Sequence, residues 1–335
     1  MPLSPLHSTP TSPGKSRRFS RRGLTAVGAA TAGALLLAAT PAEAATSVRT
    51  TVSNTSSGAI VSLYSGTYGF SNFGTDNIGL NLAGKGGLNG AGTASTVVKM
   101  YSYSSTKGYL VPTATGTSNR LFLMNATGAA KLSNFWLQGT AQGHLYNGLK
   151  LSRGTGASVS NVKITAVPGA GYNPPQETFT INDQNGSGDR FSYIKEDGTN
   201  IAAVGIGANS ASNISISNSS FVNNRYSAGV ALWQVYNATL TNVVSKSNRT
   251  GLNFERCSGS ITIKHPTIQY ESNQDLYIGS DQASARITIT DPVYSSHLRI
   301  RVPAVYRGVT NKQRRSDIHV LVNGVDRTSS IVTWL

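Results

Sequence analysis

Glu255 ends the pattern Leu252-Asn253-Phe254-Glu255, in which apolar residues alternate with polar ones and the carboxylate falls on the outward side. Groups able to handle an anionic polymer recur around it. Asp197 stands before Gly198-Thr199-Asn200, Arg225 follows Asn224, and Arg249 follows Asn248, at comparable points of successive segments. If those segments stack, Asp197, Arg225 and Arg249 form a column. A carboxylate beside two guanidiniums stays ionised, and the guanidiniums can grip an anionic group. The outward positions of the same segments include Lys150, Asn182, Gly205, Gly207, Trp233, Asn253 and Tyr277. The glycines would make a flat floor, Trp233 and Tyr277 offer ring faces for stacking, and Lys150, Asn182 and Asn253 offer polar contacts. The catalytic candidates are Glu255, Arg225, Arg249 and Asp197.

Three uses of such a face are open. β-Elimination from a uronate needs a cation to neutralise the sugar carboxylate and a base to take the C5 proton. Arg225, Arg249, Lys150, Tyr226, Tyr277 and His144 are the groups at hand. Glycosidic hydrolysis needs two carboxylates about 5–5.5 Å or about 6.5–9.5 Å apart. Glu255 with Asp281 would be one coil apart. Asp183 would be three coils from Glu255, about 14 Å at about 4.8 Å per coil. The third use is binding without catalysis, with a basic face holding polysaccharide of the cell envelope. No cofactor is required. Calcium could be held by Asp183 and Asp197, with Asp189 and Glu196 nearby, although their spacing is not that of a known calcium loop.

The elements that must position these residues are short strands in two repeating series. Leu132-Ser133-Asn134, Val159-Ser160-Asn161, Ile216-Ser217-Asn218, Leu240-Thr241-Asn242, Ile263-Lys264-His265 and Ile289-Thr290-Asp291 form one series. Phe191-Ser192-Tyr193 fills its widest gap. The other series is Leu149-Lys150-Leu151, Phe179-Thr180-Ile181, Val204-Gly205-Ile206, Val230-Ala231-Leu232, Leu252-Asn253-Phe254 and Leu276-Tyr277-Ile278. Two strand series that keep one drifting period are the mark of a solenoid. Phe179-Thr180-Ile181 and Phe191-Ser192-Tyr193 together supply one full coil, so no large insertion is required. Asn tolerates left-handed backbone angles, which suits the corner after each strand. Stacked amides can bond along the axis, with an interruption expected at Tyr193. This row is structural, and the chemistry belongs to the other face. The Ser and Thr residues outward on the first series are ordinary strand choices, and Lys264 breaks their regularity, which argues against an ice-binding surface.

Arg17-Arg18 and Arg21-Arg22 precede an apolar run from Leu24 to Thr40, then Ala42-Glu43-Ala44. This reads as an export signal of twin-arginine type over residues 1–44, cleaved before Ala45 and leaving a secreted protein. The run is too short and too rich in Ala and Gly for a membrane span. The chain carries a formal charge of +15; without the leader's five basic residues and Glu43 it is +11. Such a surplus steers anionic partners to the surface; the expected partner is an anionic polysaccharide rather than nucleic acid. The one cysteine, Cys257, excludes an intrachain disulfide and is expected to be buried.

The opening coils carry a resemblance. Gly66-Thr67-Tyr68, then Leu88-Asn89-Gly90-Ala91-Gly92 followed by Thr96-Val97-Val98, resemble the start of proteins of the pectate-lyase-like superfamily. The resemblance covers residues 55 to 293. It implies an all-β fold, a right-handed single-stranded parallel β-helix, with an N-terminal cap and a small C-terminal β cap. It also implies that substrate lies across the outward face of one sheet. The expected boundaries are 1–44 for the leader, 45–294 for the β-helix and 295–335 for the cap. Leu298–Val302 and Ile318–Val322 are expected as strands of that cap, with Asn323-Gly324 as a hairpin turn. The expected activity is a polysaccharide lyase acting on a uronate polymer; hydrolase and binding protein are the alternatives. The Asn-Thr-Asp and paired-Asp motifs of polygalacturonases are absent.

Overall fold

In-out-in strands cannot bury their apolar side singly, so each rung must lie on the next. The computed structural model describes residues 41–70, 78–100, 122–139, 147–152, 155–165, 201–224, 227–255, 257–279, 285–302 and 315–335. These residues wind into a parallel β-helix with three ladders. Ladder A holds β3 (Ile78–Leu82), β6 (Phe122–Thr127), β8 (Asn147–Ser152), the first half of β10 (Ile201–Ser217), the first half of β12 (Ser227–Thr241), β14 (Thr250–Glu255), β17 (Gln274–Ile278), β20 (Leu298–Arg301) and β23 (Val332–Trp334). Ladder B holds β1 (Ile60–Ser62), β4 (Gly87–Asn89), the starts of β7 (Lys131–Gln138) and β9 (Ser158–Thr165), the second halves of β10 and β12, β15 (Ser258–Lys264), β18 (Arg286–Thr290) and β21 (Ile318–Val322). Ladder C holds β2 (Gly66–Phe70), β5 (Thr96–Met100), the ends of β7 and β9, β11 (Ser220–Val222), β13 (Val244–Lys246), β16 (Thr267–Gln269) and β19 (Val293–Tyr294).

The interior is built from columns of one residue per coil. In ladder B the column runs Val61, Leu88, Leu132, Val159, Ile216, Leu240, Ile263, Ile289 and Val320, all buried. Removing one such side chain typically costs about 2–5 kcal/mol, because neighbours in a stacked rung cannot collapse into the space. Cys257 is fully buried, with its thiol toward the Leu232 carbonyl at 3.5 Å.

Left-handed residues turn the chain at three corners. The corner from B to C uses Asn134, Asn161, Asn218, Asn242, His265 and Asp291, with φ between 47° and 61°. Their amides stack as expected: Asn134 donates to Asn89 at 2.9 Å, Asn161 to Asn134 at 2.8 Å and Asn242 to Asn218 at 2.8 Å. The corner from A to B uses Gly128, Gly156, Asn213, Asn237 and Gly259, and the corner from C to A uses Asn223, Ser247 and Tyr270.

One expectation is overturned by register. Val204 pairs with Leu149, and Ile216 pairs with Val159. The rungs of β8–β9 and β10–β11 are therefore immediate neighbours, with no coil between them. Phe179-Thr180-Ile181 and Phe191-Ser192-Tyr193 lie outside the described residues. At the point of ladder B where an interruption at Tyr193 was expected, Ser160 lies beside Ser217. Apolar alternation permits a strand, but only pairing with the rung below fixes its place.

Both ends differ in detail from the sequence reading. At the N-terminus, the helix α1 (Pro41–Asn54) crosses the point where cleavage is expected. Its buried side chains, Val48 and Val52, lie one helical turn apart and beyond that point. Arg49 ties the helix down through Nε and Nη2 to the Gly79 carbonyl, at 3.1 and 2.9 Å. At the C-terminus the ladders run on past residue 294. β20 pairs in parallel with β17, β21 with β18 and β23 with β20. The hairpin at Asn323-Gly324 sends β22 (Val325–Asp326) back antiparallel to β21. The short helix α2 (Thr328–Ile331) then leads into β23.

Candidate functional site

Pairing sets residues of ladder A in two rows. One, on the outward face, is Asn81, Asn125, Lys150, Gly205, Ala231, Asn253, Tyr277 and Arg301. Two residues further along each strand, Thr127, Ser152, Gly207, Trp233 and Glu255 are successive register partners. Trp233 and Glu255 are direct register partners, about 4.8 Å apart between backbones. Lys150 and Tyr277 are half-buried, and Arg249 is half-buried in the turn before β14.

Asn253 departs from expectation. It holds its outward position but is only 2% exposed, and Ala231 beside it is 3% exposed. Ala228 and Ala231 form a small apolar cluster separate from the interior. The middle of this face is covered, so Asn253 is not part of an open floor. Alternation fixes which way a side chain points, not what lies over it.

The turns before the A strands also need correction. Asn273 donates its main-chain N–H to the Arg249 carbonyl at 2.9 Å, and Gln274 pairs with Thr250. Asn273 therefore sits beside Arg249. Asp275 faces the next coil instead. Its carboxylate accepts from the Arg299 main-chain N–H at 2.8 Å, Nε at 3.3 Å and Nη2 at 3.0 Å. Asp197, Arg225, Asn182 and Asp183 lie outside the described residues, as do His144, Tyr226, Asp189, Glu196 and Asp281. The calcium expectation rests wholly on that set. Among the described residues, no group of three His, Cys, Asp or Glu side chains could hold a metal.

Two arrangements were missed by sequence reasoning. On ladder C, the Trp136 indole N–H donates to Thr165 Oγ1 at 2.7 Å, and the Lys163 ammonium sits 4.1 Å over the ring. The pairing of Trp136 with Lys163 could have been found by aligning a third strand series. The described outward face of ladder C carries Lys99, Lys163 and Lys246 and no acidic residue. The second is a buried polar cluster at the corner from C to A. Glu271 is 4% exposed, and burial pushes its carboxyl from 4.5 to about 7 against the hydrogen bonds of Ser245 and Asn248. Its signal was Ser245, a hydroxyl at an inward position.

No protein-family model matches the sequence. No curated protein matches it. Among solved structures the chain is similar to the A-module of mannuronan C-5 epimerase AlgE4 of Azotobacter vinelandii, with 12% identity and a TM-score of 0.36 over 77% of each chain. The class of the molecule, a parallel β-helix, rests on the three ladders themselves. Among the described residues no helix is long and apolar enough to cross a membrane.

Proposed function

We propose that the protein, exported through its twin-arginine leader, cleaves an acidic, uronate-containing polysaccharide by β-elimination on the outward face of ladder A. The observation that carries this reading is the register pairing of Trp233 with Glu255, with Tyr277 and Arg249 on adjoining rungs. An aromatic beside a carboxylate suits a sugar ring, and Arg249 can neutralise a uronate. The net charge of +15, or +11 without the leader, brings such a polymer to the surface.

Hydrolysis is less well supported among the described residues. Gly279 donates to the Phe254 carbonyl at 2.7 Å, which sets it beside Glu255. Asp275 lies four residues back along that strand, about 13 Å away at about 3.3 Å per residue. That exceeds either carboxylate spacing used by glycosidases, and Arg299 already holds Asp275. Binding without catalysis is favoured by one observation, the acid-free face of ladder C with its three lysines.

The test uses the mature chain with polygalacturonate, alginate and neutral glucans. A rise in absorbance at 232 nm is expected on a uronate polymer, lost in Arg249→Ala and strongly reduced in Glu255→Gln. New reducing ends without that absorbance would replace the lyase reading with hydrolysis. Retention on the polymer with neither product would make it a binding protein.

A further inference from the structure

Ser245 interrupts an apolar column. It fills the inward position of β13, where the rungs on either side carry Phe221 and Ile268, and it is fully buried. A hydroxyl placed there must find partners. It donates to Glu271 Oε1 at 2.7 Å, and it accepts from Asn248 Nδ2 at 2.8 Å. Glu271 Oε2 accepts the Asn248 main-chain N–H at 2.6 Å, and Oε1 also faces Asn248 Nδ2 at 3.4 Å. Asn248 Oδ1 accepts both the main-chain N–H and Nδ2 of Asn224, at 3.0 and 2.9 Å. Asn224, Asn248 and Glu271 thus link three successive turns from inside. From outside, Arg299 of the following coil donates through Nη2 to the Glu271 carbonyl at 2.7 Å and through Nη1 to the Asn273 carbonyl at 3.2 Å.

The charged groups around this corner are few. Asp275 at the start of β17 is a like charge, and Arg299 of β20 is held by Asp275. Arg249 follows Asn248 in the chain. Among the described residues no cation contacts the Glu271 carboxylate. Glycine backbones close the remaining space: a Cβ on Gly229 would meet Ser245 Oγ at 2.5 Å, and one on Gly251 would meet the Asp275 carbonyl at 2.5 Å.

We propose that Glu271 is a proton-dependent positioning residue, which holds the turn bearing Arg249 in place when its carboxyl is neutral and loosens it when the carboxylate is charged. The geometry admits both forms by turning one hydroxyl. In the neutral form Oε1–H donates to Ser245 Oγ, Ser245 turns its own proton to the Gly251 carbonyl at 3.3 Å, and Oε2 still accepts the Asn248 N–H. In the charged form Ser245 turns back to Oε1, and a buried anion is left with hydrogen bonds but, among the described residues, no counter-ion. That form bears the desolvation cost. The sign follows from linkage. The acid binds its proton more tightly in the folded chain, from 4.5 to about 7. Its contribution to stability is therefore full below about 4.5 and is lost as pH rises through about 7.

The titration needs no assumption about activity; only the effect on Arg249 rests on the function proposed above. Carbon-13 NMR of the carboxyl carbons of the whole mature chain, with Glu271→Gln used for assignment, is expected to give a midpoint near neutrality for Glu271. A midpoint in the ordinary glutamate range overturns the proposal. Thermal unfolding of the wild type is expected to fall by several degrees between pH 5 and pH 8.5. Gln, with its oxygen toward the Asn248 N–H and its amide toward Ser245, copies the neutral form, so Glu271→Gln should stay flat over that range. A parallel fall in both proteins overturns the proposal. Ser245→Ala removes a donor to the anion, and should move the NMR midpoint upward; an unmoved midpoint overturns the proposal even if Glu271→Gln fails to fold. Retention on immobilised polygalacturonate should weaken severalfold more from pH 6 to pH 8 in the wild type than in Glu271→Gln. No retention at any pH would remove the uronate reading and leave the titration standing, whereas equal weakening in both proteins would remove the link to Arg249.

Discussion

Tyr270 shows what a corner demands of one residue. Its φ is 61°, a conformation that a side chain with a Cβ adopts at a cost of about 1–2 kcal/mol. The ring is 70% exposed, so little burial offsets that cost. Asn occupies the equivalent position at Asn223. Tyr270→Gly is expected to raise the melting temperature by about 2–4 °C, for about 1 kcal/mol in a chain of this size. Tyr270→Ala, which keeps the Cβ, should give no such gain. The comparison by differential scanning calorimetry isolates the backbone term. At this scale the corner from B to C was legible because Asn recurs there in four coils. The corner from C to A was hidden, because Asn223, Ser247 and Tyr270 share a conformation but no chemistry.

At the scale of elements, the end of a β-helix is an exposed ladder edge that invites pairing with another chain. Helix α1 covers the first coil through Val48 and Val52, and Arg49 fastens it to Gly79. A charge at Val48 must enter that apolar contact or lift the helix away. Val48→Asp is therefore expected to lower thermal stability and to produce concentration-dependent oligomers in size-exclusion chromatography with light scattering. A monomer of unchanged stability would mean that α1 does not protect the edge. The helix was not legible from a pattern of strands, because among its described side chains only Val48 and Val52 are buried. The direct stacking of the β8–β9 rung on the β10–β11 rung was not legible for the opposite reason. Phe179-Thr180-Ile181 and Phe191-Ser192-Tyr193 have the right alternation at the right spacing, yet Leu149 and Val159 already have their neighbours in Val204 and Ile216.

At the scale of the molecule, basic residues among those described lie on more than one ladder. Ladders A and C both present basic residues, and the outward face of ladder C has no acidic residue among those described. Attraction of this kind is screened: the Debye length falls from about 10 Å at 0.1 M salt to about 3 Å at 1 M. The mature protein is expected to bind a uronate polymer column at low ionic strength and to elute as salt is raised. It should not be retained on a neutral glucan column under the same conditions. Salt-independent retention would point to stacking on Trp233, Tyr277 or Trp136 as the main contact.

The amino-acid order alone determined the repeat, the inward and outward sides of each strand and the left-handed Asn corner, because these follow from a period of two and from the angles one residue type tolerates. It also set Trp233 and Glu255 at matching points of successive strands. Only the tertiary structure decided which rung lies on which. Pairing is a contact between residues some 25 positions apart, and local alternation carries no record of it. Burial was decided at the same level. Asn253 reads in the sequence as an outward strand residue, and Glu271 is a polar residue beyond a strand end, but one is covered on the outer face and the other is sealed inside a corner, where the loss of water moves its proton equilibrium.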